Sequence, residues 1–336
     1  MTDDKIIYLC DLIQKKHMSW KILVNDGMHP TGAAQLSEAG MKVDQTTIPQ
    51  DQLAAKLNDY DAIVVRSATK VRKELIDLCP NLKMIVRGGV GMDNIDVEYA
   101  RAKGLVVANT PSASSRSVAE LVIGQMITMS RFLHLSNREM PTKGNTEFKN
   151  LKKSYSKGLE LEGKNICIIG CGRIGLSLAQ LAIGMGMNVL PVDPFMKDHI
   201  HFDFNITNTL VHVKLPLLSL NDALAQADYI SLHVPFLGEA LIGAKEFLIM
   251  NSNAILVNAA RGGVVDEMAL LTALDNGDIR GAALDVFVNE PTPIDALMNH
   301  PKVSVTPHIG ASTAEAQEKI GIEIAKQIIA TQGQND

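Results

Sequence analysis

Cysteine, basic excess and long apolar runs are all scarce in this 336-residue chain. Its four cysteines, Cys10, Cys79, Cys167 and Cys171, are scattered and contain no C-x-x-C pair. That argues against a disulfide framework or zinc ribbon and favours a reducing compartment, the cytoplasm. The formal net charge is −5, so nothing at whole-chain level suits a nucleic acid or an anionic membrane as partner. No apolar run approaches the ~18 residues of a spanning helix. A signal peptide is not expected either: Asp3 and Asp4 occupy the region that should be positive, and Asp11 interrupts the short apolar run. Internal repeats and low-complexity tracts are missing. Residues 1–19 read as an extension ahead of the first strand. What remains is a 46% apolar composition in a chain long enough for two domains of moderate size.

The apolar residues fall into an alternating pattern. Lys21–Val24, Ala62–Val65, Met84–Val86 and Leu105–Ala108 are short and β-branched-rich, as parallel strands buried on both faces are. Helical patterns lie between them at Asp51–Leu57, Lys73–Leu78 and Val97–Lys103. Ser117–Phe132 then reads as a helix, with Val118, Leu121, Val122, Gln125 and Met129 at helical spacing. Polar Asn137–Gly158, carrying Pro141, Gly144 and five lysines, reads as an exposed connection. A second series of strands follows at Asn165–Ile169, Asn188–Val192, Tyr229–His233, Ala254–Asn258, Gly281–Val286 and Val303–Thr306. Asp198–Leu218 shows no clean period. The fold class is α/β, built from parallel sheets.

Between the strand Ile166–Ile169 and the helix Leu176–Ile183 runs Gly170-Cys171-Gly172-Arg173-Ile174-Gly175. This is the context a dinucleotide fingerprint requires. Gly170 allows the tight turn, Gly172 lets backbone N–H groups approach a pyrophosphate, and Gly175 lets helix and strand pack closely. The next strand ends at Asp193, 18 residues past Gly175, near the ~20 expected for an acid on the ribose hydroxyls. Asp193 would repel a ribose phosphate, and Pro194 and Phe195 offer no cation, so NAD is favoured over NADP. Cys171 reads as a small residue that fits under the cofactor rather than as a reactive thiol.

Three later motifs carry charge. V-N-A-A-R-G-G holds Arg261, D-V-F-V-N-E-P holds Glu290, and T-P-H-I-G-A-S-T holds His308. Arg261 suits a bidentate grip on a carboxylate. His308 suits general acid–base work near neutrality, and Glu290 suits holding its other ring nitrogen. Alone, each residue is more often structural. Histidines 199, 201, 212, 233 and 300 show how common that is, and His199-Ile200-His201 has no acidic or cysteine cluster to make a metal site.

From about Lys21 to Ile329 the chain resembles the D-isomer-specific 2-hydroxyacid dehydrogenases, most of all their phosphoglycerate dehydrogenase branch. The matching text includes R-S-A-T-K-V from Arg66, G-G-V-G-M-D-N from Gly88, S-V-A-E-L from Ser117, A-A-L-D-V-F from Ala282 and P-H-I-G-A-S-T from Pro307. The resemblance implies two Rossmann-like or flavodoxin-like domains with a cleft between them. The substrate domain would be discontinuous, 20–112 plus 309–336, because the last helix, Thr313–Ala330, returns to it; the NAD domain would be 113–308. It implies a catalytic Arg261, Glu290 and His308. Cofactor contacts would come from Gly170, Gly172, Arg173, Ile174, Gly175, Asp193, the Val234 backbone, Ala259, Asp285 beside the nicotinamide amide, and Gly310.

The expected reaction is NAD-dependent oxidation of D-3-phosphoglycerate, with Arg66, Lys70 and Arg87 joining Arg261 at the phosphorylated substrate. Paired arginines at strand ends suit a phosphate. Competing readings are a glyoxylate or hydroxypyruvate reductase, and an NAD-sensing, corepressor-like interaction protein. A homodimer is expected by resemblance. The chain stops soon after the last helix, so feedback inhibition through a serine-binding C-terminal domain is not expected.

Overall fold

Short β-branched runs become buried parallel strands throughout the computed structural model, which describes residues 19–335. Cys10 and nearly all of the expected extension lie outside the described residues. The chain divides into two compact units. One holds the described residues up to Ser114 together with those from Ala314, and the other holds Ser115–Thr313.

In the first unit β1 (Lys21–Val24), β2 (Lys42–Asp44), β3 (Ala62–Val65), β4 (Met84–Arg87) and β5 (Val106–Asn109) form a parallel sheet, in the order β2-β1-β3-β4-β5. Helices α1 (Pro30–Glu38), α2 (Gln50–Leu57), α3 (Lys73–Asp77) and α4 (Val97–Ala102) connect the strands. The central strands are sealed on both faces: Ile22, Leu23, Val24 and every residue of β3 are fully buried. The C-terminal helix, Ala314–Asn335, packs its Ile320, Ile324 and Ile328 into the same core. It crosses α1 with backbone almost touching backbone, since a Cβ on Gly32 would lie 2.3 Å from the Gly321 carbonyl oxygen. Only glycine permits that approach.

The second unit opens with α5 (Ser115–Ser130) and α6 (Leu133–Ser154). It continues through β6 (Asn165–Ile169), α7 (Arg173–Gly184), β7 (Asn188–Val192), β8 (His199–Ile206), β9 (Thr209–Pro216), α8 (Leu220–Gln226), β10 (Tyr229–Leu232) and α9 (Ala244–Ile249). It closes with β11 (Ile255–Asn258), α10 (Glu267–Asn276), β12 (Gly281–Leu284), α11 (Asp295–Met298) and β13 (Val303–Val305). The six-stranded parallel sheet runs β13-β12-β11-β10-β6-β7. Strand order reverses at β6, whose neighbours are β7 and β10, and ligands of open α/β sheets bind beyond such a point.

One expectation changes: the stretch 137–158, read as an exposed connection, is mostly helical. Helix α6 absorbs Pro141 and Gly144, bends at Glu147 (φ −119°, ψ 19°) and buries only Leu151. So narrow an inward face leaves no apolar period to read. A Glu139–Lys143 ion pair at 2.7 Å lies along it. Where the sequence shows no clean period, 199–216 is an antiparallel hairpin of β8 and β9, with Ile200 and Phe204 buried and His201 and Asp203 exposed. His212 Nδ1 meets Asp203 Oδ1 across the strands at 2.8 Å. The two compact units meet in sequence at Ser114 and Thr313. The 309–313 turn stays with the second unit because Asp285 and Ser117 hold its backbone.

Candidate active site

A parallel sheet collects the residues after its strands along one edge, and in the second unit those residues are the ones with chemistry to offer. Gly170 follows β6, Asp193 follows β7, His233 and Val234 follow β10, Ala259 and Arg261 follow β11, Asp285 follows β12, and Thr306 and His308 follow β13.

The glycine loop fits a pyrophosphate. Gly170 has φ +91°, which a side chain would strain, and a Cβ there would lie 2.7 Å from the His233 carbonyl oxygen. On Gly175 a Cβ would fall 2.1 Å from Gly170 O, so helix and strand meet there. Around Gly172 there is open space. No side chain among the described residues caps α7 and no acid sits in its first turn, which leaves the N–H groups of this 12-residue helix for an anion. Asp193 is aimed by two backbone donors, Cys171 N to Oδ2 and Phe195 N to Oδ1, each at 2.9 Å. Burial, with the Asp193 charge beside it, pushes the Cys171 thiol up to about 12. A thiol so protonated is inert near neutrality, as a packing residue should be.

Arg261 sits in a stapled turn. The Asn258 side chain donates to the Arg261 carbonyl at 3.0 Å and accepts from Ala260 N at 3.1 Å, while Arg261 Nη1 donates to the Ala260 carbonyl at 2.6 Å. Gly262 presses on the next loop, where a Cβ would lie 1.9 Å from Phe287 O. This seats the arginine turn directly against the loop that carries Glu290.

Glu290 and His308 touch. His308 Nδ1 lies 2.8 Å from Glu290 Oε2, with both side chains over a third exposed. Glu290 Oε1 accepts from Phe287 N at 3.0 Å, which fixes the carboxylate. That leaves Nε2 as the imidazole's working nitrogen. An apolar cavity of about 380 Å³ opens beside the pair, lined by Phe287, Pro293, Met298, Val305 and Pro307 among others.

Asp285 is tied into the turn that carries His308. It is 1% exposed and accepts from Thr306 Oγ1, Ile309 N and Gly310 N, so its carboxylate holds its own turn. Sequence reasoning missed Thr306, Asn258 and Glu267, the last of which accepts from Val288 N at 2.8 Å. Thr306 and Asn258 lie inside quoted motifs and Glu267 four residues past one, but their bonds are visible only in three dimensions. Among the described residues no cluster of histidine, cysteine or acid could hold a metal ion, and no helix is long and apolar enough to cross a membrane.

The first unit has its own braced edge. Asp26 accepts from Arg66 N (2.7 Å), Thr69 N (3.0 Å) and Thr69 Oγ1 (2.5 Å). Asn94 donates to the carbonyls of Arg66 and Thr69. Lys70 is tied through its backbone to the Gln50 amide, and its side chain is exposed. Arg87 ends β4 and lies across Gly89.

Residues 123–310 match the family model described as D-isomer specific 2-hydroxyacid dehydrogenase, NAD binding domain. The chain belongs to that family. It is 41% identical over 310 residues to D-3-phosphoglycerate dehydrogenase of Methanocaldococcus jannaschii, covering 92% of this chain and 56% of that protein. The chain thus spans little more than half the length of the curated relatives it matches. Among solved structures it resembles an NAD⁺-bound 3-phosphoglycerate dehydrogenase of Entamoeba histolytica, with a TM-score of 0.75 and 27% identity over 95% of this chain and 97% of that one. It also resembles a glyoxylate reductase of Paecilomyes thermophila, with a TM-score of 0.79 and 26% identity over 95% and 97%. The family match agrees with the glycine loop: this is an NAD-binding domain.

Proposed function

We propose that the chain is a cytoplasmic NAD-dependent D-2-hydroxyacid dehydrogenase that oxidises D-3-phosphoglycerate to 3-phosphohydroxypyruvate, a step toward serine. The observation that carries this reading is the His308–Glu290 pair at 2.8 Å within a dehydrogenase family's NAD domain. Bound at the glycine loop, NAD supplies the hydride acceptor. Arg261 grips the substrate carboxylate through parallel hydrogen bonds and stays charged throughout. As the C2 hydride departs, His308 Nε2 takes the hydroxyl proton, and the Glu290 carboxylate stabilises the imidazolium that results. In the reverse direction the same imidazolium returns the proton to the carbonyl oxygen.

Arg66, Arg87 and Lys70 are assigned to the substrate phosphate. Support comes from the cross-bracing by Asp26 and Asn94, which fixes the backbone carrying Arg66 and Lys70, and from relatives named phosphoglycerate dehydrogenase. The likeness to a glyoxylate reductase favours an unphosphorylated 2-oxo acid as the second reading. Steady-state oxidation across a panel of D-hydroxy acids separates the two. Turnover of 3-phosphoglycerate should exceed that of D-lactate and D-glycerate, and Arg66→Gln with Arg87→Gln should weaken the phosphorylated substrate by about 10²-fold or more. Equal losses on all substrates would remove the phosphate assignment. NAD binding with no turnover on any hydroxy acid would favour a corepressor-like platform. A homodimer is proposed as well, supported by exposed Leu133, Met140 and Phe148 along α6.

A further inference from the structure

A chain of hydrogen bonds runs from the middle of α5 to the turn that carries His308. Gln125, 3% exposed, donates Nε2 to Thr306 Oγ1 at 3.0 Å. That hydroxyl lies 2.6 Å from Asp285 Oδ1 and donates to it. A hydroxyl has one proton, so giving it to the carboxylate obliges Thr306 to accept from Gln125, which fixes the direction of the whole relay. Asp285 passes the constraint on, taking Ile309 N on Oδ1 and Gly310 N on Oδ2, each at 2.9 Å. From the other side Ser117 Oγ donates to Gly310 O at 2.6 Å.

Two features set this apart from ordinary packing. His308 has φ +53°, a left-handed conformation that a residue with a Cβ keeps only where its surroundings over-determine it. Gln125 Oε1 is buried without a hydrogen-bond partner. An apolar side chain of similar length would fill the space but could not donate to Thr306, so what the amide adds at this buried position is that hydrogen bond.

We propose that Gln125 and Thr306 are positioning residues for His308. Acting through Asp285, they hold the turn left-handed so that the imidazole faces Glu290. This rests on the reading of His308 as the acid–base residue and extends it to two residues outside the His308–Glu290 pair.

The test compares Thr306→Val, which deletes the hydroxyl at constant shape, with Thr306→Ser, which keeps it, and with Gln125→Met. Turnover in Thr306→Val should fall by about tenfold or more while KM and NAD affinity stay within about twofold, and Thr306→Ser should restore it. Gln125→Met should move the same way by less, and it carries the comparison if Thr306→Val does not fold. Independently of activity, nitrogen-15 spectra of histidine-labelled protein should show the bonded Nδ1 signature of His308 in wild type and its averaging in Thr306→Val. A folded Thr306→Val or Gln125→Met protein that keeps both kcat and the ring signature overturns the proposal. So does one that loses kcat with the ring signature unchanged. Wild-type protein inactive on every hydroxy acid would remove the dehydrogenase reading alone, because the ring spectra would still decide the positioning role.

Discussion

The two units share a strand order, 2-1-3-4-5 in the first and the same order with one strand added in the second, yet their first crossovers are built in opposite ways. After β6 the chain runs through glycines into an uncapped helix whose N–H groups stay available. After β1 it runs through Asn25, Asp26 and Gly27 to α1, which begins with Pro30 and has His29 as its cap. Asp26 spends its carboxylate on Arg66 and Thr69, and a carboxylate in that place would repel a pyrophosphate. Topology sets where a ligand can sit. The residues after the first strand decide whether a dinucleotide is accepted.

The comparison is broken most severely at Gly175. Gly175→Ala puts a Cβ 2.1 Å from a backbone oxygen, so the helix must shift from the loop. Calorimetric titration should find NAD affinity reduced by about 10²-fold, with stability lower by about 1–3 kcal/mol. Gly27→Ala in the first unit meets open space and only the strain of φ +76°. It should cost about 1 kcal/mol and leave NAD affinity alone.

Asp26→Asn sharpens the contrast from the other side. Losing the carboxylate under Arg66 and Thr69 should destabilise the chain by about 1–3 kcal/mol in denaturant melts and raise the KM of the hydroxy acid. NAD affinity should not change, because the dinucleotide loop belongs to the second unit.

The smallest effect concerns pH. Burial holds the His233 imidazole down to about 4, from an ordinary value of 6.5. Between those values the unfolded chain takes up a proton that the folded one refuses. This contribution to stability is therefore complete above pH 6.5 and lost as pH falls toward 4, by at most about 3 kcal/mol. His233→Gln should flatten that part of the stability profile; an unchanged slope would show that His233 takes up its proton in the folded state as readily as in the unfolded one.

Much of this was legible in the sequence because it is local. The loop from Gly170 to Gly175 announces itself between a buried strand and a helix, and Arg261, Glu290 and His308 each follow such a strand. The bracing is not local. Gln125 and Thr306 are 181 residues apart and Asp26 and Thr69 are 43 apart, so no window along the chain joins them. Helix α6 was hidden by its narrow buried face. The β8–β9 hairpin carried a period of two at Ile200, Phe202 and Phe204, but clustered histidines obscured it.

The most direct measurement takes His308→Gln and Glu290→Gln through parallel NAD binding and NAD reduction assays with 3-phosphoglycerate. Both variants should bind NAD within about twofold of wild type. Reduction should fall by about 10²–10⁴-fold for His308→Gln and by less for Glu290→Gln. A His308→Gln protein that reduces NAD at the wild-type rate would contradict the account at its centre.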